Sequence, residues 1–200
     1  MGVAMDEAPH EMAEEAEHAE QSKGNNKKLA LLIAILALCL AVSETLSKNA
    51  QTTTLGQNIE AANLWAFFQG KTARMTTVIA QADAMETMIA LTADAEAKKV
   101  LQARVERWRK EAARYDEEPG DGRKQLSERA KAAEEKRDLA EAKHHNYELG
   151  SAAFQIAIVL ASAAIITGMS ALALGALSLG AVGIALTAVG LLAPAALRFL

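Results

Sequence analysis

One cysteine, three prolines and few aromatic residues in 200 positions set the first limits on this chain. A single Cys39 excludes a disulfide framework or a cysteine-based metal site within one chain. It lies inside an apolar run, where it reads as a small packing residue. Neither proline nor glycine occurs between Lys71 and Glu118, so nothing there punctuates a helix. Excess positive charge is also missing. The formal net charge is -4, and the stretch from Lys48 to Glu148 holds seventeen acids and seventeen bases. Phosphate affinity needs clustered surplus Lys and Arg, so no nucleic-acid partner is expected. In that stretch the only histidines are the adjacent His144 and His145. No Ser/His/Asp or Cys/His constellation can be drawn from such an inventory, and no Gly-Lys-Ser/Thr phosphate loop occurs. The sequence therefore leads us to expect no enzyme, no catalytic residues, no cofactor, no metal and no small-molecule substrate.

What is present is a long polar insert held between apolar runs. Residues 1–26 form an acidic arm with Asp6, Glu7, Glu11, Glu14, Glu15, Glu17 and Glu20 beside His10 and His18. The arm lacks the basic start of a secretory signal. With few large apolar residues it cannot bury a face, which predicts a solvated, disordered segment. The spacing of His10 and His18 matches no defined metal site. Residues 27–48 make a first transmembrane helix: Leu29–Leu46 covers about 27 Å at 1.5 Å per residue, close to the hydrocarbon thickness. Residues 49–150 are the insert. Residues 151–169 make a second span and 171–193 a third, with 194–200 as a C-terminal tail. Small residues four apart, Ala164/Gly168 and Ala176/Gly180, suit close helix contact in lipid.

Within the insert, Met75, Val78, Ala82, Met85 and Ile89 recur by 3 and 4, which is heptad spacing. Leu101, Val105, Trp108, Ala112 and Tyr115 repeat the rhythm, and Leu126, Ala130, Ala133, Arg137, Ala140, His144 and Tyr147 resume it more thinly. In the aromatic segment Leu55–Gly70 the spacing selects Leu55, Ile59, Ala62 and either Leu64 or Trp65, with Phe67 and Phe68 next. A helical core suits these aromatics better than the membrane surface. The insert leaves and re-enters at the same face, which limits where it reverses. A single reversal at Pro119–Gly122 leaves about seventy residues out and about twenty-eight back, whereas one near Leu91–Ala95 gives about 44 and 55. The second scheme predicts an antiparallel helical hairpin, coiled-coil-like, with the Pro-Gly-Asp-Gly segment kinking the return arm. A four-helix bundle broken at Gly70, near Asp94 and at Pro119–Gly122 is the alternative. The expected fold class is all-α, with three transmembrane helices and this hairpin between spans 1 and 2.

Glu44 is the one ionisable residue inside a span and so a candidate for an ion or proton role. It sits about one turn from the interface with Lys48 at i+4, and an interfacial pair is the simpler reading. Glu141-x-x-His144 has the spacing of carboxylate-bridged di-iron bundles, which need two such pairs. The other match, Glu15-x-x-His18, belongs to the arm across the membrane. Lys23, Lys27 and Lys28 precede the first span and only Lys48 follows it closely, which places the N-terminus in the cytoplasm and the insert outside. Lys131, Lys136, Arg137 and Lys143 vote the other way, but long loops translocate despite their charge.

Ala61, Trp65, Ala66, Gln69 and Lys71, with Asn63, Phe68 and Gly70 between them, resemble the A-x-D-x-W-A-x-Y-Q-A-K signature of domain-of-unknown-function family 4337. Arg114-Tyr115 and Ala153–Ile158 look like further family positions. The resemblance implies a bacterial inner-membrane protein with a helical insert between spans 1 and 2, and it implies no activity. Together these readings lead to a non-enzymatic scaffold or interaction module. Its expected partners are the lipid bilayer and a second copy or another membrane protein. The alternative is a small channel or transporter accessory subunit using Glu44.

Overall fold

In the computed structural model the backbone is described over residues 8–197, and side chains at 24 and 26–196. Four α-helices and a terminal 3-10 turn account for these residues: α1 (Ala8–Leu91), α2 (Ala95–Glu117), α3 (Arg123–Thr167), α4 (Ser170–Leu192) and Pro194–Leu197. No strand occurs among the described residues. Stretches within Asn26–Leu91, Arg123–Thr167 and Ser170–Leu192 are long and apolar enough to cross a membrane. The fold is all-α.

The helices are longer than the segments drawn from composition. α1 carries the backbone of the acidic arm from Ala8, the first apolar run and nearly half of the polar insert without a break. The arm's backbone is helical from Ala8. Alanine and glutamate are good helix formers, and a helix already begun by the apolar run needs no new nucleus. The arm's side chains up to Lys23, including His10, Glu15 and His18, lie outside the described residues, as does Arg198 of the tail. Gly70 is helical too, so the break that the four-helix alternative required there is absent.

The contacts divide the chain into two compact units, 52–138 and 1–51 with 139–200. In the first, α1 ends at Leu91. After Thr92 and Ala93, Asp94 caps α2, its Oδ1 accepting from Glu96 N–H at 3.0 Å. Residues on α1 and α2 then pair in opposite order. Glu86 and Asp83 meet Arg109 at 2.7 and 3.5 Å, and Lys71 meets Glu118 at 2.9 Å. The inward positions are Met75, Val78, Ala82, Met85 and Ile89 on α1, and Leu101, Val105, Trp108, Ala112 and Tyr115 on α2. On α3 they are Leu126, Ala130, Ala133 and Arg137. The aromatic segment takes another phase than Leu55, Ile59 and Ala62, which are exposed. Ala61, Leu64, Trp65 and Phe68 turn inward instead, and Leu64, Leu126 and Ala130 form the core with Trp65 and Phe68 against them.

In the second unit Leu36, Phe154 and Ala157 make the core, flanked by Leu32, Cys39, Leu40, Ile158 and Leu179. α4 offers a nearly side-chain-free face to it. A methyl group on Gly180 would lie 2.7 Å from Leu36 Cδ2, one on Gly183 2.7 Å from the Phe154 ring, and one on Gly190 2.6 Å from the Tyr147 ring. Ala176 is fully buried on the same face. Gly168 is not part of such a contact. It takes φ +70° and its N–H closes on Ala164 O at 2.9 Å, so it ends α3 in the left-handed cap that glycine favours.

Candidate functional site

No site residues were expected from the sequence, and two clusters of polar side chains emerge, one in each unit. The first is built around the Trp65–Lys71 signature. Trp65 Nε1 donates to Glu134 Oε1 at 2.9 Å, and the Trp65 and Phe68 rings meet edge to face at 5.5 Å. Lys71 is only 8% exposed. An ammonium so far from water needs a charged partner, and its Nζ donates to Glu118 Oε2 at 2.9 Å while lying 5.6 Å from the Phe67 ring centre. Arg123 closes the cluster. Its Nε donates to Thr72 Oγ1 at 2.9 Å, its Nη1 to Asp116 Oδ1 at 2.9 Å and to Met75 Sδ at 3.1 Å, and the guanidinium stands 5.0 Å from the Phe68 ring centre. The signature thus ties α1 to the end of α2 and the start of α3.

The Pro119–Gly122 turn makes that clasp possible. Gly120 takes φ +88°, a left-handed conformation that glycine adopts at little cost. Gly122 N–H donates to Glu118 O at 2.7 Å, and a Cβ there would lie 2.6 Å from Asp116 O and 2.8 Å from Glu118 O. Backbone packed this closely leaves no room for a side chain. The turn thereby keeps Asp116 and Glu118 on one side and Arg123 on the other within reach of α1. Lys71 holds the Glu118 carboxyl below its ordinary pKa, first by its hydrogen bond and then by its charge. Burial opposes this, and Arg114 adds a lesser lowering. All these groups are ion-paired or hydrogen-bonded to one another, which is the chemistry of a fastener.

The second cluster lies in the other unit, on α1, α3 and α4. Ser43, fully buried, donates to Tyr147 O at 2.9 Å and stands 3.2 Å from Thr187 Oγ1. Asn146 Nδ2 donates to Pro194 O at 3.1 Å. Ser47 Oγ lies 2.8 Å from His144 Nδ1, and His144 Nε2 lies 3.8 Å from Glu148 Oε2. That is a serine–histidine–carboxylate set which the sequence did not reveal, since Ser47 and His144 stand 97 residues apart. Nδ1 also lies 3.2 Å from the Ser47 carbonyl oxygen. Nδ1 thus has both the hydroxyl and the carbonyl of Ser47 within hydrogen-bonding reach, and the imidazole tautomer sets which of them it bonds. Ser151 Oγ is buried without a partner in the same unit.

Glu44 accepts from Gln155 Nε2 at 3.4 Å, joining α1 to α3. Glu141 is exposed and His144 is engaged with Ser47, and no group of three His, Cys, Asp or Glu among the described residues is placed to hold a metal ion. Both clusters join residues far apart in the chain, and the one signal that could have flagged the first was the signature itself. No curated protein and no solved structure matches the chain. A family model does, over residues 25–193, and by that match the chain belongs to the family described as Domain of unknown function (DUF4337).

Proposed function

We propose that this chain is a non-enzymatic scaffold of the bacterial inner membrane. Three spans anchor it, and the insert between spans 1 and 2 is an antiparallel, coiled-coil-like hairpin through which copies assemble. The reverse order of pairing between α1 and α2 supports the hairpin. The surplus of Lys23, Lys27 and Lys28 before the first span supports a cytoplasmic N-terminus and an insert on the other side. In this reading Glu44, bonded to Gln155, serves the packing of α1 on α3.

One observation carries the assembly part. α2 is charged at 12 of its 23 positions, whereas α1 between residues 52 and 91 holds only Glu60, Lys71, Arg74, Asp83 and Glu86. A stripe runs in steps of three and four from Leu55 and Ile59 through Ala62, Ala66, Gly70, Ala73, Thr77, Ala80, Ala84 and Thr87 to Leu91. Every residue of it is exposed and none is charged. An uncharged face of this length on an otherwise highly charged unit is a surface for another uncharged face. Copies inserted in one membrane present α1 in the same direction, so the stripe can meet itself.

The test is the mass of the purified full-length protein in detergent, by light scattering, for the wild type and for Ala80→Lys combined with Ala84→Lys. The wild type is expected to be oligomeric and the double variant monomeric with unchanged helicity. A monomeric wild type, or an oligomer indifferent to the two lysines, overturns the assembly reading.

A further inference from the structure

The start of the first span and the α3–α4 turn enclose a cleft of about 650 Å³, lined by Lys28, Leu29 and Leu32 on α1 and by Ser170, Leu174 and Leu177 on α4. A second cleft of about 400 Å³ shares Lys28, Leu29, Ser170 and Ala173 and reaches Gly168 and Met169. The two therefore form one groove, polar at its mouth and apolar along its length. At 1.5 Å per residue, Ser170 to Leu177 takes it about 10 Å down α4. Leu174 and Leu177 are 67% and 57% exposed, so its apolar wall is open from the side. The mouth is positive. Lys28 stands there exposed, next in the chain to the exposed Lys27, and no side chain caps the first amides of α4.

We propose that this groove holds one anionic phospholipid, its phosphate at Lys28 and Ser170 and an acyl chain along Leu29, Leu32, Leu174 and Leu177. The inference rests on the membrane part of the function proposed above, and on charge complementarity. A zwitterionic headgroup gains little from the lysine, and an acidic peptide such as the chain's own arm, poor in large apolar residues, leaves the leucine wall uncovered. In a three-span arrangement Lys28 and the α3–α4 turn lie at one interface, so headgroup and chain meet the groove in the order its lining requires. Basic pockets between spanning helices recognise lipid phosphates in this way.

The test is native mass spectrometry of the delipidated full-length protein titrated with phosphatidylglycerol or phosphatidylcholine. One phosphatidylglycerol is expected to be retained in preference to phosphatidylcholine. Lys28→Gln should cut that preference about fivefold. Ala173→Leu, which fills the groove, should abolish retention with an unchanged circular dichroism spectrum, and inorganic phosphate should not displace the lipid. Equal retention of both lipids, an undiminished preference in Lys28→Gln, or displacement by phosphate alone overturns the site. Alkaline carbonate extraction separates this failure from the larger one. A chain stripped from membranes removes the membrane reading, whereas a chain that stays in them without lipid preference removes only the groove.

Discussion

Lys71 and Glu118 show how one buried charge organises its surroundings. Because the folded carboxyl titrates below the ordinary glutamate value, the unfolded chain binds more protons than the folded one as the pH falls. The contribution is full above the ordinary value and is lost as the pH drops through the lowered one. Thermal melts should therefore separate wild type from Glu118→Gln at pH 7, with the gap closing as the pH falls below about 4.3. A gap that stays constant would show that the carboxylate does not hold the lysine. Two glycines make an opposed pair. Gly122→Ala forces a methyl group onto two carbonyl oxygens and should cost more than about 1 kcal/mol. Gly70 is helical with open space where a methyl would sit, so Gly70→Ala should add up to about 1 kcal/mol. Urea unfolding of the two variants checks both signs.

At the scale of the helices, the heptad positions tell inside from outside. Val105 is buried at 6% exposure, so Val105→Lys should unfold the 52–138 unit, whereas Ala84→Lys should change its stability by less than about 0.5 kcal/mol. Leu126→Ala, at 1% exposure, should cost about 2–5 kcal/mol. Circular dichroism melts distinguish the three. The inward faces of α2 and α3 were legible in the sequence because apolar residues recur there among charges, and periodicity needs that contrast. On α1 from Leu55 to Gly70 the contrast fails. The outward Leu55 and Ile59 are as apolar as the inward Leu64 and Phe68, while polar Thr54 and Gln57 turn inward. Spacing alone then selects the wrong stripe. The clasp was illegible for a different reason. Its bonds join Lys71 to Glu118, Thr72 to Arg123 and Trp65 to Glu134, across 47, 51 and 69 residues, and no local pattern encodes such pairs. The cap at Gly168 was misassigned because a glycine four residues after an alanine has the same spacing in a contact and at a helix end.

For the molecule as a whole, Trp65, Phe68 and Lys71 hold α1 to the end of α2 and to α3, and the uncharged face of α1 is left over. In the proposed assembly that face meets its own copy. In native membranes, a Cys39→Ala background carrying Ala84→Cys should form an inter-chain disulfide on mild oxidation, since parallel copies bring the same residue within bridging distance. The same background carrying Arg107→Cys, on the charged face of α2, should not. A dimer from Ala84→Cys alone is the predicted result. No dimer from it, or equal dimer from both positions, would contradict assembly through α1.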